Sequence, residues 1–347
     1  LVDISTELEP DVSKYDIVHL FNITRIHETW LQCNNALKYN KPVVLSTIHH
    51  SKKEIHDYEL KGLLGLPKLV KKIFSGENDI QLFKTGYYTI QSPKEIKAFL
   101  KQLQLGYIRQ QIDVLKKSTI LVPNSKMEMD KIQQEFDLQN LTYHIVPNGI
   151  EIDNNILCIS EEDFVKKYGF EDFVFCVGRI EPRKNQLNII KALEKTNIPV
   201  IFAGSINKKH RKYYKEVMNK IDENKNMHYV GLLDRELLYS GYKASKVTVL
   251  ASWFETTGLV GLEGGIMDSN VVITEKGYTK EYYKNNVWYC EPNSVLSIKE
   301  AVLKAYNAKR GKYDLKNLAL KFYTWEKAAR ETLKAYNIAI HIKNNNA

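Results

Sequence analysis

Phe254-Glu255-Thr256-Thr257-Gly258-Leu259-Val260-Gly261-Leu262-Glu263-Gly264-Gly265 places two carboxylates eight positions apart around a turn. The preceding Val247-Thr248-Val249-Leu250 is β-branched and apolar, as a buried strand should be. Gly258 interrupts that pattern, and Leu259, Leu262 and Ile266 resume it at helical spacing, so the reading is strand, loop, helix, with Glu263 about one turn into the helix. The first turn of a helix offers unpaired N–H groups and a partial positive charge, which bind phosphate directly, and glycines let the backbone come close. An ionised carboxylate can accept hydrogen bonds from two neighbouring hydroxyls, as a ribose or hexose presents them. The stretch therefore suits a nucleotide-linked sugar. Taken alone, it is equally readable as a loop carboxylate followed by a solvated helix residue, the usual fate of a glutamate.

The same rhythm runs through the chain. Ile17–Leu20, Val43–Ser46, Thr119–Val122 and Tyr143–Val146 have strand character before Pro147-Asn148-Gly149. Phe173–Val177, Val200–Ala203, His228–Val230, Val247–Leu250 and Val271–Thr274 have it afterwards. Helical stretches separate them, and Ser92-Pro93-Lys94-Glu95 and Ser125-Lys126-Met127-Glu128 each spell a capping box. Strands that recur every 20 to 30 residues, roughly a strand plus a crossover helix, predict an α/β protein of two doubly wound sheets. The expected division is 1–150 and 151–322, with a C-terminal helix at 323–347 that can pack back on the first domain. At 347 residues and 44% hydrophobic content each domain can bury its own core.

The net charge is +9, and the excess sits mainly in the second half: 1–150 carries 19 Lys or Arg against 17 Asp or Glu, and 151–347 carries 31 against 24. An anionic partner is favoured, whether a phosphate compound, an acidic lipid surface or nucleic acid; a lysine-rich proteome gives the same count. Cys33, Cys158, Cys176 and Cys290 are isolated and lack metal-ligand spacing, as reduced thiols in a cytosolic protein would be. There is no run of 18 apolar residues and no leader-like start, so a cytoplasmic location is expected. Leu60–Phe74 reads, from Pro67 onward, as an amphipathic helix with Leu66, Leu69, Val70, Ile73 and Phe74 on one face and Lys68, Lys71 and Lys72 on the other. That is the arrangement of a helix lying on an anionic membrane, and also of an ordinary core-facing helix with solvated lysines. Lys208–Tyr214 interleaves cations and tyrosines, but nothing else supports a nucleic-acid partner, and a solvated helix start is the expectation.

In an open parallel sheet, ligands bind beyond the carboxyl ends of the strands. After the strand at 173–177 come Gly178-Arg179-Ile180-Glu181-Pro182-Arg183-Lys184-Asn185-Gln186, with three cations in six residues. A guanidinium and an ammonium at that place can neutralise charge developing on a departing diphosphate, although a helix-capping loop with surface cations has the same composition.

Val177–Asn185, the Glu255 and Glu263 pair with seven residues between them, and Val146-Pro147-Asn148-Gly149-Ile150 resemble the family 4 retaining glycosyltransferases, most strongly over Ile145–Thr274. The resemblance implies the GT-B fold, two Rossmann-like domains facing across a cleft, the first on the acceptor side and the second holding the nucleotide sugar, with no metal or other cofactor. It implies that Arg179 and Lys184 contact the donor diphosphate, that Thr256, Thr257, Gly258 and Leu259 bind phosphate and sugar through backbone groups, that Glu263 holds the ribose, and that Glu255 takes hydroxyls of the transferred sugar. The family's first-domain histidine matches best at His49 of Ser46-Thr47-Ile48-His49-His50, with His50 the alternate; it would position the donor or share a proton. The implied activity is transfer of a hexose-type sugar from a UDP or GDP sugar to a glycan or lipid-linked acceptor in surface polysaccharide or glycoconjugate synthesis, with the 60–74 helix on the inner face of a membrane. One departure from the family is plain: its glycine-rich loop after the first strand is not visible, as if the chain entered the first domain past that point. A non-catalytic sugar-nucleotide or glycan-binding module of the same fold is the alternative.

Overall fold

The computed structural model describes residues 2–62, 82, 85, 86 and 96–345. The Ser92–Glu95 capping box lies outside them, as does the 60–74 helix except for Leu60, Lys61 and Gly62. The chain forms two compact units: the described residues of Leu1–His49, Leu66–Pro147 and Ala328–Ala347, and those of His50–Gly65 and Asn148–Lys327.

The first half of the chain runs β1 (Val18–Phe21), α1 (Ile26–Lys38), β2 (Val43–Ser46), α2 (Lys52–Lys61), α3 (Ile96–Leu105), α4 (Tyr107–Lys117), β3 (Ile120–Leu121) and α5 (Lys126–Phe136). Among the described residues three strands pair in parallel in the order β1-β2-β3, with Val18 opposite Val43 and Val44 opposite Ile120. The strand expected at Tyr143–Val146 makes a single parallel bridge, Tyr143 to Leu121. His144 and Val146 N–H groups reach Leu121 and Pro123 carbonyls at 2.9 Å, but Pro123 and Pro147 bring no donors with which to continue the ladder. One side of this sheet is closed by the C-terminal helix, whose Ala335 and Ala339 pack on Val44, Ile120 and Val122; small side chains let helix and sheet approach closely.

The second half runs α6 (Asn154–Leu157), α7 (Glu162–Tyr168), β4 (Val174–Val177), α8 (Gln186–Leu193), β5 (Val200–Ala203), α9 (Arg211–Asp222), β6 (Met227–Tyr229), α10 (Arg235–Ala244), β7 (Val247–Leu250), α11 (Leu259–Ile266), β8 (Asn270–Thr274), α12 (Thr279–Tyr283), β9 (Trp288–Cys290), α13 (Val295–Asn307), α14 (Leu315–Phe322) and α15 (Trp325–Asn345). Its six strands are all parallel in the order β6-β5-β4-β7-β8-β9. Alternate residues face opposite sides. Phe175, Val177, Ile201, Leu250 and Ile273 enter one core, and Val174, Cys176, Val200, Phe202, Val249 and Val272 the other, which is why the strands read as continuous apolar runs. The three-residue β9 was not expected from the sequence.

The second unit takes in α2 as well as the chain from Asn148 to Lys327. The Tyr58 ring lies 6.2 Å from that of Trp253 and 5.9 Å from that of Phe254. A Cβ on Gly62 would sit 2.6 Å from Trp253 Nε1, and the Glu54 carboxylate accepts the Gly277 N–H at 2.7 Å. Among the described residues no helix is long and apolar enough to cross a membrane.

Candidate active site

The strand order reverses at the β4–β7 pair: β4 leads outward to β5 and β6, and β7 to β8 and β9. At such a switch point two loops diverge at the carboxyl end of the sheet and leave a crevice. The loops there are Gly178–Asn185 after β4 and Ala251–Gly258 after β7, the two that the sequence singled out.

They are stitched together. Pro182–Lys184 forms one 3₁₀ turn, with Pro182 at the start, where a missing N–H costs nothing. Asn185 closes the turn at φ 64° and donates through Nδ2 to the carbonyls of Ala251 at 2.9 Å and Pro292 at 2.8 Å. The Trp253 N–H donates to the Arg183 carbonyl at 2.9 Å. Lys184 Nζ thereby reaches Glu255 Oε1 at 2.5 Å, while Arg183 Nη1 stands 3.4 Å from the same oxygen and donates to the Phe254 carbonyl at 3.2 Å. Glu255 is 7% exposed. Burial alone pushes its carboxyl up, but Lys184 and then Arg183 outweigh that and bring it down to about 2. Glu181, also buried, accepts from Arg179 at 3.3 Å and from Asn207 Nδ2 at 2.8 Å and lies 3.6 Å from Arg183 Nε. Three cations against two carboxylates leave this cluster one positive charge, and the Arg179 side chain, 59% exposed, carries charge toward solvent.

The Glu255 backbone is held as firmly as its side chain. Its N–H donates to Lys276 at 3.3 Å, and its carbonyl accepts from Tyr278 at 3.0 Å. Gly277 passes so close, at φ 87°, that a Cβ there would lie 1.7 Å from the Glu255 carbonyl oxygen. Two residues on, Thr257 is buried and its hydroxyl accepts from Asn148 Nδ2 at 2.9 Å. Gly258, at φ 75°, caps α11, and Tyr283 donates to its carbonyl at 2.5 Å. Thr256, Thr257, Gly258 and Leu259 therefore lead into a helix N-terminus whose first-turn N–H groups have no acceptor within the helix. Further along α11, Glu263 is partly buried and accepts a hydrogen bond from Tyr242 at 3.0 Å. Burial pushes its carboxyl above the ordinary value, and the Tyr242 hydrogen bond only partly restores it.

Arg179, Lys184, Thr256, Thr257, Gly258, Leu259, Glu255 and Glu263 thus lie on the two switch-point loops and the helix that follows. His49 is not among them. It lies in the first unit, 3% exposed, with Nε2 3.1 Å from Glu135 Oε2 and its ring edge-on to Phe136 at 6.0 Å. Its loop is strained: Ile48, a β-branched residue, sits at φ 45°. Glu128 grips both flanks of that residue, accepting the Thr47 hydroxyl at 2.6 Å and the His49 N–H at 2.7 Å, and also takes the Asn124 N–H at 2.8 Å. The capping box is accordingly half used: Ser125 accepts the Glu128 N–H at 3.0 Å, and the glutamate side chain serves the neighbouring loop instead. His50 turns the other way, its ring 5.0 Å from that of Phe254, next to Glu255.

Sequence reasoning did not assign Glu181, Arg183, Asn185, Asn207, Gly277, Tyr242 or Glu54. An acid inside a cation-rich loop was a usable signal for Glu181; Glu54 gave none.

Residues 160–321 match the family model described as glycosyl transferases group 1. An uncharacterized glycosyltransferase of Methanocaldococcus jannaschii is 25% identical over 241 residues, 63% of this chain; the match spans 60% of that relative's length. Among solved structures, sucrose-phosphate synthase from Thermosynechococcus elongatus superposes with a TM-score of 0.67 at 14% identity, covering 93% of this chain and 73% of that one. HepE of Anabaena in complex with UDP gives 0.66 at 13% identity, covering 92% and 78%. The fold is that of the GT-B glycosyltransferases, α/β with parallel sheets in two Rossmann-like domains.

Proposed function

We propose that the protein is a retaining, metal-independent glycosyltransferase that moves a hexose-type sugar from a nucleotide diphosphate sugar to a glycan or lipid-linked acceptor, in surface polysaccharide or glycoconjugate synthesis at the cytoplasmic face of a membrane. The observation that carries the reading is the cluster of Lys184, Arg183 and Glu255 at the sheet's switch point, beside the N-terminus of α11. The match of 160–321 to the group 1 family model supports it, as does UDP in the complex of Anabaena HepE.

In this reading the diphosphate and sugar lie at the N-terminus of α11, where backbone groups of Thr256, Thr257, Gly258 and Leu259 hold them and the helix dipole meets the diphosphate charge. Arg179 and Lys184 complete the cradle. Glu263 takes the ribose hydroxyls, and Glu255, kept ionised by its cations, takes hydroxyls of the sugar and fixes its reacting face. The acceptor oxygen bonds to the anomeric carbon on the face the nucleotide leaves. The bond from that carbon to the diphosphate oxygen breaks, its electron pair stays on that oxygen, and the same oxygen receives the acceptor's proton. Charge growing on the leaving group is then met by Arg179 and Lys184, so catalysis rests on positioning and electrostatics rather than on a protein nucleophile.

A thermal-shift series with UDP-, GDP- and ADP-sugars tests donor class, because a ligand bound by the native state raises its melting temperature by mass action. Turnover of the stabilising donor is expected to disappear in Glu255→Ala. Unchanged turnover in that variant or in Lys184→Ala contradicts the mechanism, and binding without turnover in the wild type identifies a non-catalytic module.

A further inference from the structure

We infer that Tyr242 is the positioning residue of the nucleotide site: its hydroxyl holds one oxygen of Glu263 and turns the other toward the ribose diol. The inference rests on the donor-site reading above and extends it to a residue that does not itself touch the nucleotide.

Tyr242 stands on α10, a helix started by Asp234, which accepts the Leu237 N–H at 2.9 Å. The ring has no solvent exposure and is wedged edge-on between Phe175 at 5.4 Å and Tyr239 at 5.8 Å, so its rotamer is fixed by packing. The hydroxyl donates to Glu263 Oε2 at 3.0 Å. Among the described residues Glu263 has no ion pair, unlike Glu255 eight positions earlier, and the tyrosine is the one side-chain partner that lowers its pKa. A carboxylate with one oxygen occupied by a fixed neutral donor and the other left open is prepared for hydroxyl donors rather than for a cation. A ribose supplies two such hydroxyls side by side. The same contact also has a plain structural reading, a buried phenol satisfied by the nearest acceptor, and the two readings differ in what a nucleotide feels.

Isothermal titration of the whole chain with UDP and GDP, and with their 2′,3′-dideoxy counterparts, separates them. Wild-type protein is expected to prefer the ribonucleotide by about tenfold or more, the value of a charge-assisted hydrogen bond. In Tyr242→Phe, which keeps the ring and removes only the hydroxyl, that preference should shrink to about twofold or threefold while dideoxynucleotide affinity stays unchanged. In Glu263→Gln the added Tyr242→Phe change should have no further effect on the preference. Tyr239→Phe, whose hydroxyl faces the Glu151 carbonyl at 3.4 Å, should keep the wild-type preference. An equal loss for both nucleotides in Tyr242→Phe, or no loss, overturns the inference and leaves the donor site standing. Wild-type protein that binds ribo- and dideoxynucleotides equally, or binds neither, overturns the ribose role of Glu263 and this inference with it.

Discussion

Glu255 and Glu263 bracket one turn of chain and share a side chain, yet their surroundings are opposite. Glu255 faces Lys184 and Arg183, lies between two hydrogen-bonded backbone segments, and is held down to about 2. Glu263 faces a tyrosine, sits partly open, and is pushed above its ordinary value. The difference teaches what each can bind. In the proposed function, a carboxylate already neutralised by cations exchanges them with an incoming diphosphate and turns to a sugar, whereas an uncompensated one gains most from neutral hydroxyl donors.

The contrast breaks most violently at Gly277. Gly277→Val drives a side chain into the Glu255 carbonyl from a left-handed backbone, and a loss of about 4 kcal/mol in urea unfolding is expected, with turnover abolished. Next comes Lys184→Met, which leaves Glu255 buried with a weaker partner and should cost about 3 kcal/mol. Adding Glu255→Gln to it should recover part of that loss, because no uncompensated charge remains; strictly additive costs would refute the pairing.

Acid titration sharpens the same comparison. Glu255 is more acidic folded than unfolded, so its stabilisation is complete above about 4.5 and is lost as pH falls from there toward about 2. Glu263 has the opposite sign: its native carboxyl prefers the proton, so its contribution to stability grows as pH falls through its raised value, while nucleotide affinity weakens over that range. Unfolding and nucleotide titration at matched pH values should therefore move in opposite directions first, and Lys184→Met should remove the lower acid limb of stability. The smallest effect is expected for Thr257→Val, which leaves Asn148 Nδ2 without its acceptor and should cost about 1 kcal/mol in unfolding.

What the sequence made legible follows from how local each cause is. Val247–Leu250 is buried at all four positions, and β-branched side chains announce that without outside help. Gly258 opens a helix by its own backbone freedom, and Arg179 to Lys184 lie within one short loop. Trp288–Cys290 was missed because three residues carry no period, and the strand exists only through pairing with β8. Glu128 announced half of its role through Ser125, but its side chain answers to Thr47 and His49, about 80 positions earlier. His49 and His50 are adjacent letters that face different units, a division set by tertiary packing alone. Tyr242 reads as any core tyrosine until Glu263 is beside it.

The packing of α2 on Trp253 and Phe254 has a consequence for how the molecule is made. Tyr58 leaves the ribosome about 195 positions ahead of Trp253, so at roughly 5 to 20 residues per second its partner arrives about 10 to 40 seconds later. During that wait α2 has no Ala251–Gly258 loop to cover, and the second unit cannot be finished by a chain that begins at Asn148. Synthesis order, not only sequence, then decides when the Glu255 loop acquires Glu54 and Tyr58.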